Sequence, residues 1–372
     1  MHQPSLLGSS ALLRALAIAP VAIAPAASAD TIHLTDGTSI EDCQIAEETY
    51  EVVEYRASGR KQSIATDKVL RIEYDKRPAP VDRAESAAAD EQPHDAIADL
   101  ETYVQGLLES GKRERYSWAP AYAMYRLIEL KRVVGELPAA EAAADRLIEL
   151  VPRSRFVPLA YLAKADVQND QGQGAKALST IAQLEALIQK SNLSRRWALE
   201  CELSKVLYDA QLSGKKKRDK LAEVSGRAGR EYPTVRNRAD VAEAETHLEA
   251  KSFGEAEKIF QRICDDPKAN PGTLAAAFTG LGDCLFQRAF GMPSGSEQSK
   301  LYRESLLAFM RVVVVYKDQT RYVPKAMLLA GRIFDQSADE ISKEHAQKLY
   351  RTVIRVYGGT PWAQEARGFR KN

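Results

Sequence analysis

Cysteine is scarce in this chain, four residues in 372, and histidine is hardly commoner at five. Neither count supports a disulfide scaffold or a metal centre built on histidine clusters, so no metal and no cofactor is expected. Charge of one sign is missing too: Lys plus Arg number 52 and Asp plus Glu 51, a net charge of +1. A dedicated nucleic-acid binder carries a strong basic surplus, so nucleic acid drops out as the expected partner. Proline (16) and glycine (21) are few enough to leave room for long helices. The patterns G-x-S-x-G, H-E-x-x-H, G-x-x-x-x-G-K-S/T and C-x-x-C are all absent, and no catalytic residue is assigned. What is present is 45% apolar and 28% charged residues, the balance of a globular protein of two or three domains.

The first segment reads as an address. Arg14 is the only charge before Asp30, and behind it runs a short apolar stretch, Ala15–Ala29, broken by Pro20 and Pro25 and ending Ala27-Ser28-Ala29. A positive start, a short apolar run and small residues at the exit are what signal peptidase reads, so residues 1–29 are expected to be removed after Ala29. Such a run spans about 22 Å as a helix, short of the ~30 Å of a bilayer core. No later stretch is apolar enough to span a membrane. The mature protein is expected to be periplasmic or secreted.

Residues 30–76 alternate with a period of two. Thr31–Leu34 runs into Asp36-Gly37, a tight-turn pair, and further strands surround Ile40 to Ile45, Tyr50 to Tyr55, Ile64 and Val69 to Tyr74. The pattern resembles small Sm-like or SH3-like β-barrels, whose closure removes exposed edges. Eleven acids against seven bases over residues 30–77 give no support to an Sm-type role on RNA. Residues 77–92, with stiff Pro78-Ala79-Pro80 and a polar, acidic tail, read as a linker between two independently folding parts.

From residue 93 to 372 apolar residues recur at helical spacing, and the helices come in pairs. Gly135 precedes Ala140, Leu147 and Pro152 by five, twelve and seventeen residues, and Gly172 precedes Ala177 and Leu184 by five and twelve. Ala256, Phe260 and Ile263 repeat the order, as do Gly331, Ala346, Tyr350 and Val353. These units resemble the tetratricopeptide repeat family, which implies a mainly α fold, a superhelical α–α solenoid preceded by the small barrel. Small residues (Ala140, Ala177, Ala256, Gly282, Gly331) would let one helix settle against the next while Leu, Phe and Tyr fill the adjoining layer. Ile128 departs from the pattern, the unit from Trp197 to Pro233 lacks a clear alanine, and Gly291–Ser296 is an insertion. Six pairs follow one another in sequence, and with these departures five or seven units would also fit. Cys264 and Cys284 fall in adjacent helices and either pair or serve as free core residues. Lys215–Arg218 reads as a solvated inter-helix turn.

The resemblance implies a concave face lined by the first helix of each pair. Carried onto this chain, its positions include Tyr122, Tyr125, Glu129 and Arg132, then Asp166 and Asn169, then Glu245, Asp283 and Phe286, and finally Arg332. Glu129, Asp166, Glu245 and Asp283 share one height, and an acidic groove there would suit an extended basic or aromatic peptide. The expected function is that of an exported, non-catalytic scaffold or adaptor for protein–protein interactions in the cell envelope. In this it resembles periplasmic repeat proteins of the Tol–Pal or outer-membrane assembly machinery, without their lipid anchor or coiled-coil start. A structural envelope component and a non-catalytic subunit of an exported enzyme are the alternatives.

Overall fold

The computed structural model describes residues 29–110, 114–337 and 339–370. The segment read as an export signal lies outside them, apart from Ala29.

Five antiparallel strands come first: β1 (Asp30–Leu34), β2 (Ser39–Glu48), β3 (Val52–Ala57), β4 (Arg60–Ala65) and β5 (Val69–Glu73). Gly37, at φ 89°, makes the β1–β2 turn, and the Asp36 carboxylate accepts the Thr38 N–H at 2.9 Å, setting Ile32 opposite Ile40. The strand order is β4-β3-β2-β1-β5. The two outermost strands do not pair, so the sheet is open, where the sequence led us to expect a closed barrel. Helices rather than a second layer of strands cover its apolar face. Ile32, Val53, Tyr55 and Ile72 share one continuous core with Ile97, Leu100, Leu127 and Phe156. Tyr74, just past β5, stacks on Trp118 with ring centroids 3.5 Å apart.

The stretch expected to be a linker is instead largely a helix, α1 (Ala79–Ala89), with Pro80 in its first turn. Its apolar stripe is narrow, with Val81 and Ala84 fully buried and otherwise only Pro80 and small alanines beside four polar residues, which is why composition alone reads it as linker. The core that begins at Ile32 runs without a break through α1 to Ala160. The sheet is therefore packed as the first layer of the solenoid.

The remaining helices are α2 (Pro93–Ser110), α3 (Ala119–Val134), α4 (Leu137–Leu150), α5 (Val157–Asp170), α6 (Gly174–Ser191), α7 (Arg195–Tyr208) and α8 (Gly214–Ala228). They continue as α9 (Pro233–Glu249), α10 (Phe253–Cys264), α11 (Pro271–Phe290), α12 (Ser296–Val315), α13 (Val323–Asp335), α14 (Glu340–Val356) and α15 (Pro361–Phe369). Each helix packs on the next, and from α3 to α15 each odd-numbered helix also touches the next odd one. The odd helices are thus one layer and the even helices another, as a stack of helix pairs requires. Pro120, Pro158, Pro233, Pro271, Pro324 and Pro361 sit in the first turns of odd helices, where the missing N–H costs nothing.

The small residues do what their spacing implied. A Cβ on Gly331 would meet the Tyr350 ring at 2.5 Å, and one on Gly282 the Phe309 ring at 2.6 Å. Ala140, Ala177 and Ala256 are wholly buried. Cys264 and Cys284 are free thiols in one core cluster, and burial pushes both up to about 12. Lys215 and Lys216 are exposed, but in the first turn of α8 rather than in a turn between helices.

The stack also curls until its ends meet. Gly135, in the α3–α4 turn, lies so close to Gly359, in the α14–α15 turn, that a Cβ on either would overlap the backbone of the other. Val133 of α3 joins the core of Val356 and Tyr357, and Arg355 of α14 pairs with Glu91 at 3.0 Å.

Candidate protein-binding surface

All ten residues singled out from the sequence lie on odd-numbered helices, Arg132 on α3, Asn169 on α5 and Phe286 on α11 among them. Tyr122, Tyr125 and Glu129 are on α3, Asp166 on α5, Glu245 on α9, Asp283 on α11 and Arg332 on α13. These positions therefore share one layer of helices. What the sequence spacing did not show is how few of these side chains are free.

Tyr122 donates its hydroxyl to Glu85 at 3.0 Å, and its ring meets Tyr74 and Trp118 edge-on. Tyr125 stacks on Phe156 at 5.1 Å, and Arg155 lies over the other member of that pair, 4.1 Å from the Phe156 ring. Burial pushes both phenols up, so they remain neutral donors. Glu129 pairs with Arg126 at 2.6 Å, and Arg126 also holds Glu85. Asp166 is the most heavily engaged carboxylate. Arg132 reaches it at 3.3 Å, Arg321 at 3.1 Å and the Tyr208 hydroxyl at 2.6 Å. Burial alone would raise its pKa, but Arg321, Arg132 and Arg238 outweigh it and hold the carboxyl well below the usual range. Asp283 pairs with Lys325 at 2.6 Å and accepts from the Gln287 amide. Arg332 packs over Phe286 and Phe369 and reaches Glu365 at 3.3 Å.

Glu245 alone among the four acids has no hydrogen bond or ion pair among the described residues. Its side chain meets solvent, yet protein surrounds it closely enough that loss of water raises its pKa, against the pull of Lys325 and Arg321. Lys217 also acts on it, so the basic stretch at the start of α8 is not remote from this surface.

In the acidic groove expected from the sequence, three of the four carboxylates, Glu129, Asp166 and Asp283, are thus already neutralised by the protein's own cations. Apart from Arg132, which the repeat register does mark, those cations come from places it does not. Arg321 stands in the turn before α13, Lys325 in its first turn, and Arg238 on α9 beside Glu200. Arg126 and Arg155 were likewise missed, one between two counted positions and one in the α4–α5 turn. The only trace in the sequence is that Arg321 and Lys325 flank the start of an inner helix.

Beside this row a cavity of about 1180 Å³ opens between the sheet and the two ends of the solenoid. Tyr122, Tyr125 and Glu129 line it, while Asp166, Glu245, Asp283 and Arg332 lie outside it. Its walls also carry Arg126 and Arg155, and, from the far end of the chain, Val323, Met327 and Tyr357. Among the described residues no group of three or more His, Cys, Asp or Glu is placed to hold a metal ion, and no helix is long and apolar enough to cross a membrane.

No family model and no curated protein matches the chain. Among solved structures, a tetratricopeptide repeat protein from Parabacteroides merdae is similar at 14% identity and a TM-score of 0.36, covering 77% of this chain and 95% of its own. A TPR repeats protein from Bacteroides fragilis is similar at 10% identity and a TM-score of 0.23, covering 78% of this chain and 95% of its own. Overlaps at these scores decide nothing about function, and the helix-pair architecture rests on the chain's own contacts.

Proposed function

We propose that this protein is an exported, non-catalytic scaffold of the cell envelope that holds a protein segment against the inner layer of its solenoid. The observation that carries the reading is the continuous odd-helix layer, from Tyr122 on α3 to Arg332 on α13, lying beside a cavity of about 1180 Å³. Its polar groups are arranged as ion pairs rather than as an acid, a base and a nucleophile aimed at one point. Such a surface offers a partner exchangeable charges at Glu129 and Arg332, and an unengaged carboxylate at Glu245. Export rests on the apolar stretch ending Ala27-Ser28-Ala29.

The test is site-specific photocrosslinking in the native host. A photoreactive residue replacing Glu245 should yield a discrete protein adduct, while one replacing Leu307, exposed on α12 of the other layer, should not. Adducts from Leu307 alone would move the binding surface to the opposite layer. Protein recovered from cells should begin at Asp30, and Met1 at its N-terminus would remove the export claim.

A further inference from the structure

An open sheet has two edges, and in this molecule they differ. The β4 edge, Arg60–Ala65, faces solvent along almost its whole length and carries Arg60 and Lys61, charges that discourage another strand from pairing. The β5 edge is Val69-Leu70-Arg71-Ile72-Glu73, richer in apolar residues, and it faces the cavity. Leu70, Arg71, Ile72, Glu73, Tyr74 and Asp75 all line that space. Side chains alternate between the two faces of a strand, so one face could supply only every second residue. An unbroken run of six means that the edge itself meets the cavity.

Among the described residues Leu70–Glu73 make no backbone hydrogen bond outside the ladder to β1. In an antiparallel ladder alternate residues turn both N–H and C=O away from the partner strand, so β5 presents a spaced row of donors and acceptors to the cavity. Ligand pockets usually measure about 300–1,000 Å³, so the space beside β5 is large enough for a short extended segment.

We infer that the β5 edge is a docking strand, and that a partner protein pairs an extended segment of about five residues antiparallel or parallel to Leu70–Glu73. This deepens the scaffold reading and rests on it only in taking the partner to be a protein. The chemistry of the segment follows from the sheet. Residues beside Ile72 and Tyr74 continue the core-facing side, toward Tyr122 and Leu130, and should be apolar. Residues beside Arg71 and Glu73 continue the outer side. Arg71 and Glu73 pair with each other, and His33 reaches Glu73 at 3.3 Å, so that side calls for polar residues of no particular charge. The match is an alternating, uncharged-to-mixed strand rather than the basic peptide an acidic groove would select.

The probe is a ten-residue peptide alternating valine with serine, lysine and glutamate, offered to the full chain in three forms. One is unmodified, one is N-methylated at the valines and one at the polar residues. A strand turns only every second amide toward its neighbour, so one methylated form should bind as the parent does. The other loses at least two edge hydrogen bonds and should bind about tenfold more weakly. The parent should slow amide exchange at Leu70–Glu73, whose outward N–H groups otherwise exchange freely. Equal binding by both methylated forms, absence of binding, or binding that leaves Leu70–Glu73 unprotected would each overturn the docking strand. Protection that rises with protein concentration alone would overturn it as well, by giving the edge to a second copy of the chain. None of these results alters the photocrosslinking outcome at Glu245, so the two readings fail separately.

Discussion

The two places where distant parts of this chain meet are built from different materials. Where the sheet docks on the solenoid, Arg155 and Glu48 form an ion pair with side chains only 6% and 2% exposed, capped by the Tyr74 hydroxyl, while Tyr74 stacks on Trp118. Where the two ends of the solenoid meet, the contacts include a backbone approach at Gly135 and Gly359, the packing of Val133 with Val356 and Tyr357, and the ion pair Arg355–Glu91, with side chains 61% and 46% exposed. A buried pair cannot be exchanged for water without leaving a charge stranded, whereas an exposed pair trades its partner for water at little cost. The docked sheet is therefore a fixed part of the core, and the Arg355–Glu91 pair is the more easily broken of the two ion pairs.

The largest effect should come from breaking the fixed contact. Arg155→Ala strands Glu48 in the core and should cost about 3–5 kcal/mol in urea unfolding. It should also loosen the first helices, because sheet and helices share one core. A loss confined to the sheet signals, with helical circular dichroism unchanged, would restore two independent parts.

Asp166→Asn comes next, since it removes the carboxylate that ties α3, α5 and the turn before α13 together. The expected cost is about 2–3 kcal/mol at pH 7. Asp166 is depressed in the folded protein, so its contribution is complete above the ordinary carboxylate pKa of about 3.9 and fades as pH falls below that. The gap between wild type and Asp166→Asn should be flat from pH 8 to 5 and close only in acid. A gap that closes near pH 6 would mean the carboxylate is not held by its arginines.

Gly135→Ala tests the seam between the ends directly. Gly135 has φ 87°, and an added methyl would overlap Gly359, so the change should cost about 1–2 kcal/mol. It should also increase the radius of gyration seen by small-angle scattering as the ends part. An unchanged radius would show that strain at the turn was absorbed locally.

The sequence made the layers legible and left the connections between them obscure. Gly282 and Gly331 were readable because a close helix approach leaves a local, periodic mark: a small residue facing a large one a fixed distance along. The inner-layer positions from Tyr122 to Arg332 were readable for the same reason. The pairing of Arg321 with Asp166 was not, because 155 residues separate them and no repeat register relates a turn residue to a helix residue elsewhere in the ring. Counting acids at one position suggested an acidic groove because the count ignored cations arriving from other pairs. The open sheet was missed because closure was inferred from the need to cover edges, while a shared helical core could not be seen from strand patterns. Helix α1 was missed because two buried residues, Val81 and Ala84, are too few to set a period.

Arg355→Ala should cost less than about 1 kcal/mol, and even that should vanish in 1 M salt, since both partners are largely solvated. Glu245→Gln should have the smallest effect and the opposite sign. Its carboxylate has no hydrogen bond or ion pair among the described residues, and loss of water raises its pKa. A raised acid is penalised when ionised, so the wild-type protein gives up stability at pH 7 and recovers it as pH falls and the group takes a proton. Because the side chain also meets solvent, the variant should gain no more than about 0.5 kcal/mol at pH 7. The difference should disappear below pH 4, where the acid is protonated in folded and unfolded chains alike. If Glu245→Gln instead destabilises at pH 7 as Asp166→Asn does, Glu245 has a cationic partner within the chain. It would then no longer stand apart from the neutralised carboxylates as the acid left open to a bound segment.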